Sequence, residues 1–168
     1  VAIVAASSRG RKEQEGHIEV TALNDKYTDF EEVLQHSILD EHDLKQLAKD
    51  KKKQDKLDKK KQKHSGDNEA RKKRVYVLDF IGDTKASALS SLREEVTAIL
   101  TMAERQDEVV IRLESPGGMV HTYGLAASQL QRIRSHDIPL TIAVDAVAAS
   151  GGYMMACIGN KILAAPFA

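Results

Sequence analysis

Two short segments of this 168-residue sequence combine residue types that acyl-transfer chemistry uses. Glu114-Ser115-Pro116-Gly117-Gly118 sets a glycine pair directly after an apolar run, and Ala148-Ala149-Ser150-Gly151-Gly152 sets one serine among Ala and Gly after another. Adjacent glycines lack the Cβ that closes off much of backbone space, so their N–H groups can point into a cleft rather than into a ladder. Backbone donors held in that way stabilise an oxyanion without reorganising, and a helix start beyond the first turn adds favourable partial charge. An ordinary tight turn is the alternative for Pro116-Gly117-Gly118. A serine on a sharp strand-to-helix turn can expose its hydroxyl as a nucleophile. A helix N-cap is the alternative for Ser150.

A serine nucleophile needs a base. Of the six histidines, His17, His36, His42 and His64 precede the compact second half of the chain, which holds His121 and His136. His121, just after the first glycine pair, is the one in a plausible place, with a surface or helix-start histidine as its plainer reading. Lys161 is the only lysine after Ser150, and it opens an apolar run where a charged end faces solvent. The general base is therefore expected either to be distant in sequence or to lie beyond these 168 residues. One cysteine, Cys157, excludes an intrachain disulfide and a thiol metal cluster, and no metal or cofactor is expected. No Trp and only three Phe argue against an aromatic nucleic-acid platform. The segment also departs from the Gly-x-Ser-x-Gly elbow of the α/β-hydrolases, because Ala148 takes the first position.

The elements that must position these residues are legible from Val75 onward. Val75–Phe80 is rich in β-branched and aromatic residues and predicts a strand. Leu89, Leu92, Val96, Ile99, Leu100 and Ala103 recur at helical spacing, with Arg93, Glu94, Glu95 and Glu104 toward water. Val109–Leu113 predicts a second strand, and Leu125, Ala126, Leu130 and Ile133 a second helix. Leu140–Val144 is a third strand, Met154, Met155 and Cys157 lie on a short helix, and Lys161–Ala164 is a fourth strand. Alternating strands and helices with right-handed crossovers imply an α/β fold, a largely parallel sheet with covering helices.

The first 74 residues differ in texture. Residues 1–48 suit short helices, with Phe30, Val33, Leu34, Ile38, Leu44 and Leu47 as possible buried positions and Thr28 or Asp29 as a cap for a helix starting near Phe30. Residues 49–74 form a lysine-rich connection, a solvated helix through Lys63 or a tether, with Gly66-Asp67-Asn68 as its end. The formal net charge of zero hides this: residues 45–74 carry 14 Lys/Arg against 5 Asp/Glu, which leaves 11 against 20 elsewhere. A nucleic-acid tail or an anionic-lipid patch is the sharper reading of that run, a solvated face the plainer one. Val1–Ala6, followed by Arg9, Arg11 and Lys12, is consistent with the exit end of a membrane span whose beginning precedes residue 1, or with a frayed start.

Residues 75–168 closely resemble the beginning of the protease domain of SohB-type bacterial membrane peptidases, relatives of signal peptide peptidase A with a fold similar to the Clp protease and crotonase group. Arg112–His121, Tyr123–Gln131 and Val147–Cys157 carry the resemblance. It implies that Ser150 is the nucleophile, that a lysine replaces histidine as general base, and that Gly118 and Gly151 supply the oxyanion hole, with Pro116, Gly117 and Gly152 shaping the turns. That lysine lies farther on than the 18 residues that follow Ser150, so Lys161 is too early, and the chain reads as an excerpt truncated before the sheet is complete. The resemblance further implies peptide or membrane-protein substrates, signal-peptide-like or unfolded, and a single anchor upstream of residue 1 in the bacterial inner membrane. A homo-oligomer is possible, and no nucleic-acid partner is expected. Arg9, Arg11 and Lys12 favour a cytoplasmic exit whereas relatives act on the outer side, which leaves the side open. A catalytically silent interaction scaffold and a crotonase-like acyl-thioester enzyme are the alternatives.

Overall fold

Four stretches of alternating or continuous apolar residues become four parallel strands: β3 (Val75–Ile81), β4 (Glu108–Glu114), β5 (Leu140–Val144) and β6 (Lys161–Ala164). This computed structural model describes residues 2–4, 18–64 and 72–168, the side chains of residues 2–4, 55 and 58–64 aside. Two compact units divide the chain, one of residues 1–22 and 73–168 and one of residues 23–72.

In the first unit the strands stand in sequence order, β3-β4-β5-β6. The helices α3 (Leu89–Leu100), α4 (Val120–Ser135) and α5 (Gly151–Ala156) make the crossovers. Right-handed connections that step the same way across a sheet put every helix on one face, and α3 packs on α4 and α4 on α5. Strand alternation matches: Tyr76, Leu78 and Phe80 of β3, Val109, Ile111 and Leu113 of β4, and Leu140, Ile142 and Val144 of β5 enter one core with Leu92, Val96, Ile99, Tyr123, Ala126, Leu130, Ile133 and Met155. The alternate strand positions point to the other face of the sheet. There Arg112 pairs in bidentate fashion with Asp79, and Glu114 and Asp145 complete the polar lining of a cleft of about 230 Å³. The buried Asp107 carboxylate anchors the start of the sheet, accepting from the Arg74 N–H at 2.9 Å, the Arg74 guanidinium at 3.1 Å and the Glu104 N–H at 3.0 Å. A short antiparallel pair, β1 (Ala2–Val4) with β2 (Glu19–Thr21), belongs to the same unit, β1 running beside β3.

Two expectations within this unit need correction. Glu95 is buried rather than turned to water, because at 3.6 residues per turn it shares a face with Leu92, Val96 and Ile99. Leu125 is exposed, and Tyr123 and Ala127 take its place in the core of α4.

The second unit holds α1 (Leu23–Ile38) and α2 (Glu41–His64). Here α1 begins earlier than expected, so Thr28 and Asp29 lie inside it, the Thr28 hydroxyl donating back to the Asn24 carbonyl. None of its residues is buried: Phe30, Val33, Leu34 and Ile38 all remain exposed, as does Leu47 on α2, while Leu44 is half-buried. The Asp40 carboxylate caps α2 by accepting from the His42 and Asp43 N–H groups, each at 2.9 Å. The lysine-rich run is thus helical to His64, and α2 passes through positions 48 and 49 without a break. The readings of Val1, residues 5–12 and Gly66-Asp67-Asn68 fall outside the described residues; Ala2–Val4 are extended. Among the described residues no helix is long and apolar enough to cross a membrane.

Candidate active site

The two glycine-containing turns, 33 residues apart in sequence, meet at the carboxyl ends of β4 and β5. Pairing continues one step past the strands: Ser115 donates its N–H to the Val147 carbonyl at 2.8 Å and accepts from the Ala149 N–H at 2.9 Å. That bridge fixes the second turn against the first.

Ser150 sits where β5 has ended and α5 begins. Its backbone has φ 48° and ψ −113°, a region that a residue with a Cβ rarely adopts, at a cost on the order of 1–3 kcal/mol. Although Ser150 occupies the N-cap position, its side chain makes no capping bond. The hydroxyl is exposed and has no hydrogen-bond partner among the described residues. The strained backbone thus coincides with a serine that does not cap the helix it precedes.

Gly117 has φ +86°, and a Cβ there would lie 2.7 Å from the Ser150 Cβ and 2.6 Å from the Ala149 carbonyl oxygen. Only glycine lets the turns approach so closely. Gly118 is enclosed from the other side, since a Cβ would stand 2.1 Å from the Thr84 carbonyl oxygen. A Cβ on Gly151 would strike the Tyr123 ring at 2.4 Å, and one on Gly152 would reach the Ser115 Cβ at 2.9 Å. Neither the Gly118 nor the Gly151 N–H is hydrogen-bonded among the described residues. Two backbone donors are therefore unengaged within the pair of turns that holds Ser150.

The loop after β3, residues 82–88, is the third wall, and the sequence reading assigned nothing to it. Met119 donates its N–H to the Thr84 carbonyl at 2.9 Å. The Asp83 carboxylate folds the loop by accepting from the Ser87 hydroxyl at 2.6 Å and from the Ser87 and Lys85 N–H groups. Those bonds, the Ser87 hydroxyl first, hold its pKa below the usual carboxylate value. Beneath the turns lie Ser115 and Tyr123, both fully buried. Tyr123 entered the sequence reading only inside the matched segment 123–131. Its burial could have been found from its phase, since it stands three residues before Ala126 and seven before Leu130.

The remaining candidates lie elsewhere than between the turns, two of them exposed and the third at the opposite end of β5. Pro116 is exposed at the rim of the first turn. His121 is exposed on the first turn of α4. Lys161 pairs in register with Thr141, at the amino end of β5, whereas Ser150 follows its carboxyl end. It belongs to a cluster of charges there, helping with Lys73 to hold the Glu108 pKa down; the Lys73 hydrogen bond at 2.6 Å is the larger cause. Among the described residues the one group of side chains spaced to hold a metal ion is the exposed Asp40, His42 and Asp43, in the other unit.

The class so defined is a parallel α/β sheet with helices on one face and an exposed serine on a strained strand-to-helix turn packed against a glycine pair. The chain belongs to peptidase family S49: "Peptidase family S49 N-terminal" matches residues 1–130 and "Peptidase family S49" residues 132–168. It is 46% identical over 173 residues to a Haemophilus influenzae protein named "Probable protease SohB", covering 100% of this chain and 49% of that one. A Buchnera aphidicola subsp. Schlechtendalia chinensis protein of the same name is 60% identical over 93 residues, 55% of this chain and 30% of its own. "Protease 4" of Salmonella typhi is 31% identical over 85 residues, 51% of this chain and 12% of that protein. The chain spans about half the length of the Haemophilus relative.

Proposed function

We propose that the full protein is a serine endopeptidase of the Clp protease and crotonase-like fold, with Ser150 as nucleophile and a lysine beyond residue 168 as general base. The observation that carries this reading is the Ser150 turn: a strained backbone, a hydroxyl without a capping role, and contact with a glycine whose neighbour has an unengaged N–H. Membership of a peptidase family and similarity to proteins named as proteases support it.

In the proposed mechanism the neutral lysine takes the Ser150 proton as Oγ attacks the peptide carbonyl. The carbonyl π electrons move onto oxygen, and the Gly118 and Gly151 N–H groups stabilise the oxyanion. Collapse expels the amine, which takes the proton from the lysine, and leaves an ester on Ser150. Water, deprotonated by the same lysine, then cleaves that ester and restores the hydroxyl. A lysine is neutral near pH 7 only where burial lowers its pKa, by up to about 3 to 5 units in fully buried sites. Substrates are membrane-associated, signal-peptide-like or unfolded polypeptides, met at the bacterial inner membrane to which a segment upstream of residue 1 anchors the protein.

Labelling of the full-length protein with a serine-directed phosphonate, with peptide turnover followed in parallel, tests the reading. Both are expected in the wild type and both vanish in Ser150→Ala. A folded full-length protein that neither labels nor turns over peptide sinks it and favours an interaction scaffold or an acyl-thioester enzyme.

A further inference from the structure

Ser115 and Tyr123 have no step in the mechanism above, yet they are the two fully buried hydroxyls beneath the site. Their donors can be assigned without ambiguity. The Tyr123 hydroxyl lies 2.7 Å from the Asp83 carbonyl oxygen, which can only accept, so the phenol donates its one proton there. The Ser115 Oγ, 2.6 Å from that phenol, must then be the donor of their shared bond. Serine in turn accepts the Gly117 N–H at 3.0 Å. A single directed chain results: Gly117 N–H to Ser115, Ser115 to Tyr123, Tyr123 to the backbone of the loop after β3.

The surroundings leave this chain no slack. A Cβ on Gly82 would fall 2.5 Å from the Tyr123 hydroxyl and 2.7 Å from the Ser115 Oγ, and those on Gly151 and Gly152 would strike the Tyr123 ring and the Ser115 Cβ. Hence the chain touches both glycine turns and the 82–88 loop at once. The Gly117–Gly118 peptide, which carries the unengaged Gly118 N–H, lies between two anchored neighbours. On one side the Gly117 N–H is held by Ser115; on the other the Met119 N–H is held by the Thr84 carbonyl. Glycine offers little steric barrier to rotation of such a peptide. Its direction is therefore set by whatever fixes its two ends.

Resting on the serine-peptidase reading, we propose that Ser115 and Tyr123 are positioning residues for acyl transfer, their hydroxyl chain holding the Gly117–Gly118 peptide so that the Gly118 N–H faces the oxyanion formed at Ser150. An oxyanion donor acts mainly in the transition state, so its misalignment lowers kcat more than it raises KM.

The test compares full-length wild type with Tyr123→Phe, Ser115→Ala, the double variant and Ser150→Ala. Phosphonate labelling and steady-state peptide turnover are the readouts, with a thermal melt of each protein. Tyr123→Phe keeps the ring that packs on Gly151 and Phe80 and removes only the hydroxyl. Losing a whole oxyanion donor costs about 10²–10³-fold in kcat, so each single variant is expected to lose about 10-fold or more in kcat with KM changed less than about twofold. Because both are links of one chain, the double variant is expected to be no slower than the slower single. Wild-type kcat in both single variants, with Ser150 still labelled, overturns the proposal while leaving the peptidase reading intact. Multiplicative loss in the double variant, or loss of cooperative melting in both singles, also overturns it, because the hydroxyls would then act separately or hold the domain rather than the site. Absence of label and turnover in the wild type removes the peptidase reading and this proposal with it.

Discussion

At Ser150 the backbone and the side chain make opposite demands. A residue with a Cβ is strained at φ 48°, ψ −113°, whereas glycine reaches that region freely. Ser150→Gly is therefore expected to raise stability by about 1 kcal/mol while abolishing turnover, and Ser150→Ala, which keeps the Cβ, to abolish turnover without that gain. Urea denaturation of the three full-length proteins measures the difference. Glu95 shows a second local conflict. Burial, with Asp79 and Glu94 adding to it, raises its pKa to about 7. The folded protein then holds this proton more tightly than the unfolded chain, so stability falls as pH rises from about 4.5 to about 7. Glu95→Gln is expected to raise the melting temperature at pH 8, and the gain to shrink toward pH 5. A gain that is the same at both pH values would contradict the assignment.

The elements around the site are joined by missing side chains as much as by present ones. β4 and β5 deliver their turns side by side because they are adjacent parallel strands, and Gly117, Gly118, Gly151 and Gly152 let those turns and the 82–88 loop close on one another. Gly151→Ala would drive a methyl into the buried Tyr123 ring, which cannot swing away as a flexible side chain would. A destabilisation of about 1–3 kcal/mol is expected, together with loss of phosphonate labelling. Labelling at the wild-type rate would mean that the turn has another way to close. How far this was legible depends on the element. The four strands and three crossover helices followed from apolar phase; the strand bounds agree with the sequence reading to within one residue, whereas α3 stops at Leu100, short of Ala103, α4 starts at Val120, ahead of Leu125, and α5 stops at Ala156 with Cys157 as its C-cap. Glu95 and Leu125 were misplaced because residue type was weighed above helical phase. α1 was misread more deeply: its apolar positions Phe30, Val33, Leu34 and Ile38 resemble a core face, yet all four are exposed. Periodicity states which residues share a face, and something else must cover that face.

For the whole molecule the decisive feature is the edge of the sheet. β6 is exposed throughout, with Ile162 at 44% and Leu163 at 47%. Unpaired edges with apolar side chains template further pairing. The 168-residue chain taken alone is expected to self-associate, and Ile162→Lys with Leu163→Glu to return it toward monomer, as read by sedimentation velocity. A monomeric unmodified chain would show that β6 is already protected. The lysine-rich α2 belongs to the other unit, so any binding to polyanions is expected to persist without residues 75–168 and to weaken steeply with salt.

By itself the sequence determined the α/β alternation, the two glycine turns and the singling out of Ser150, because apolar period, glycine pairs and turn residues act over a few neighbouring positions. Only the tertiary structure decided that the two turns meet, that Ser150 is strained and does not cap its helix, that Lys161 lies at the wrong end of β5, and that Ser115, Tyr123 and the 82–88 loop stand behind the site. Those relations join residues up to 40 positions apart. They depend on strand order and side-chain packing, which no local pattern encodes.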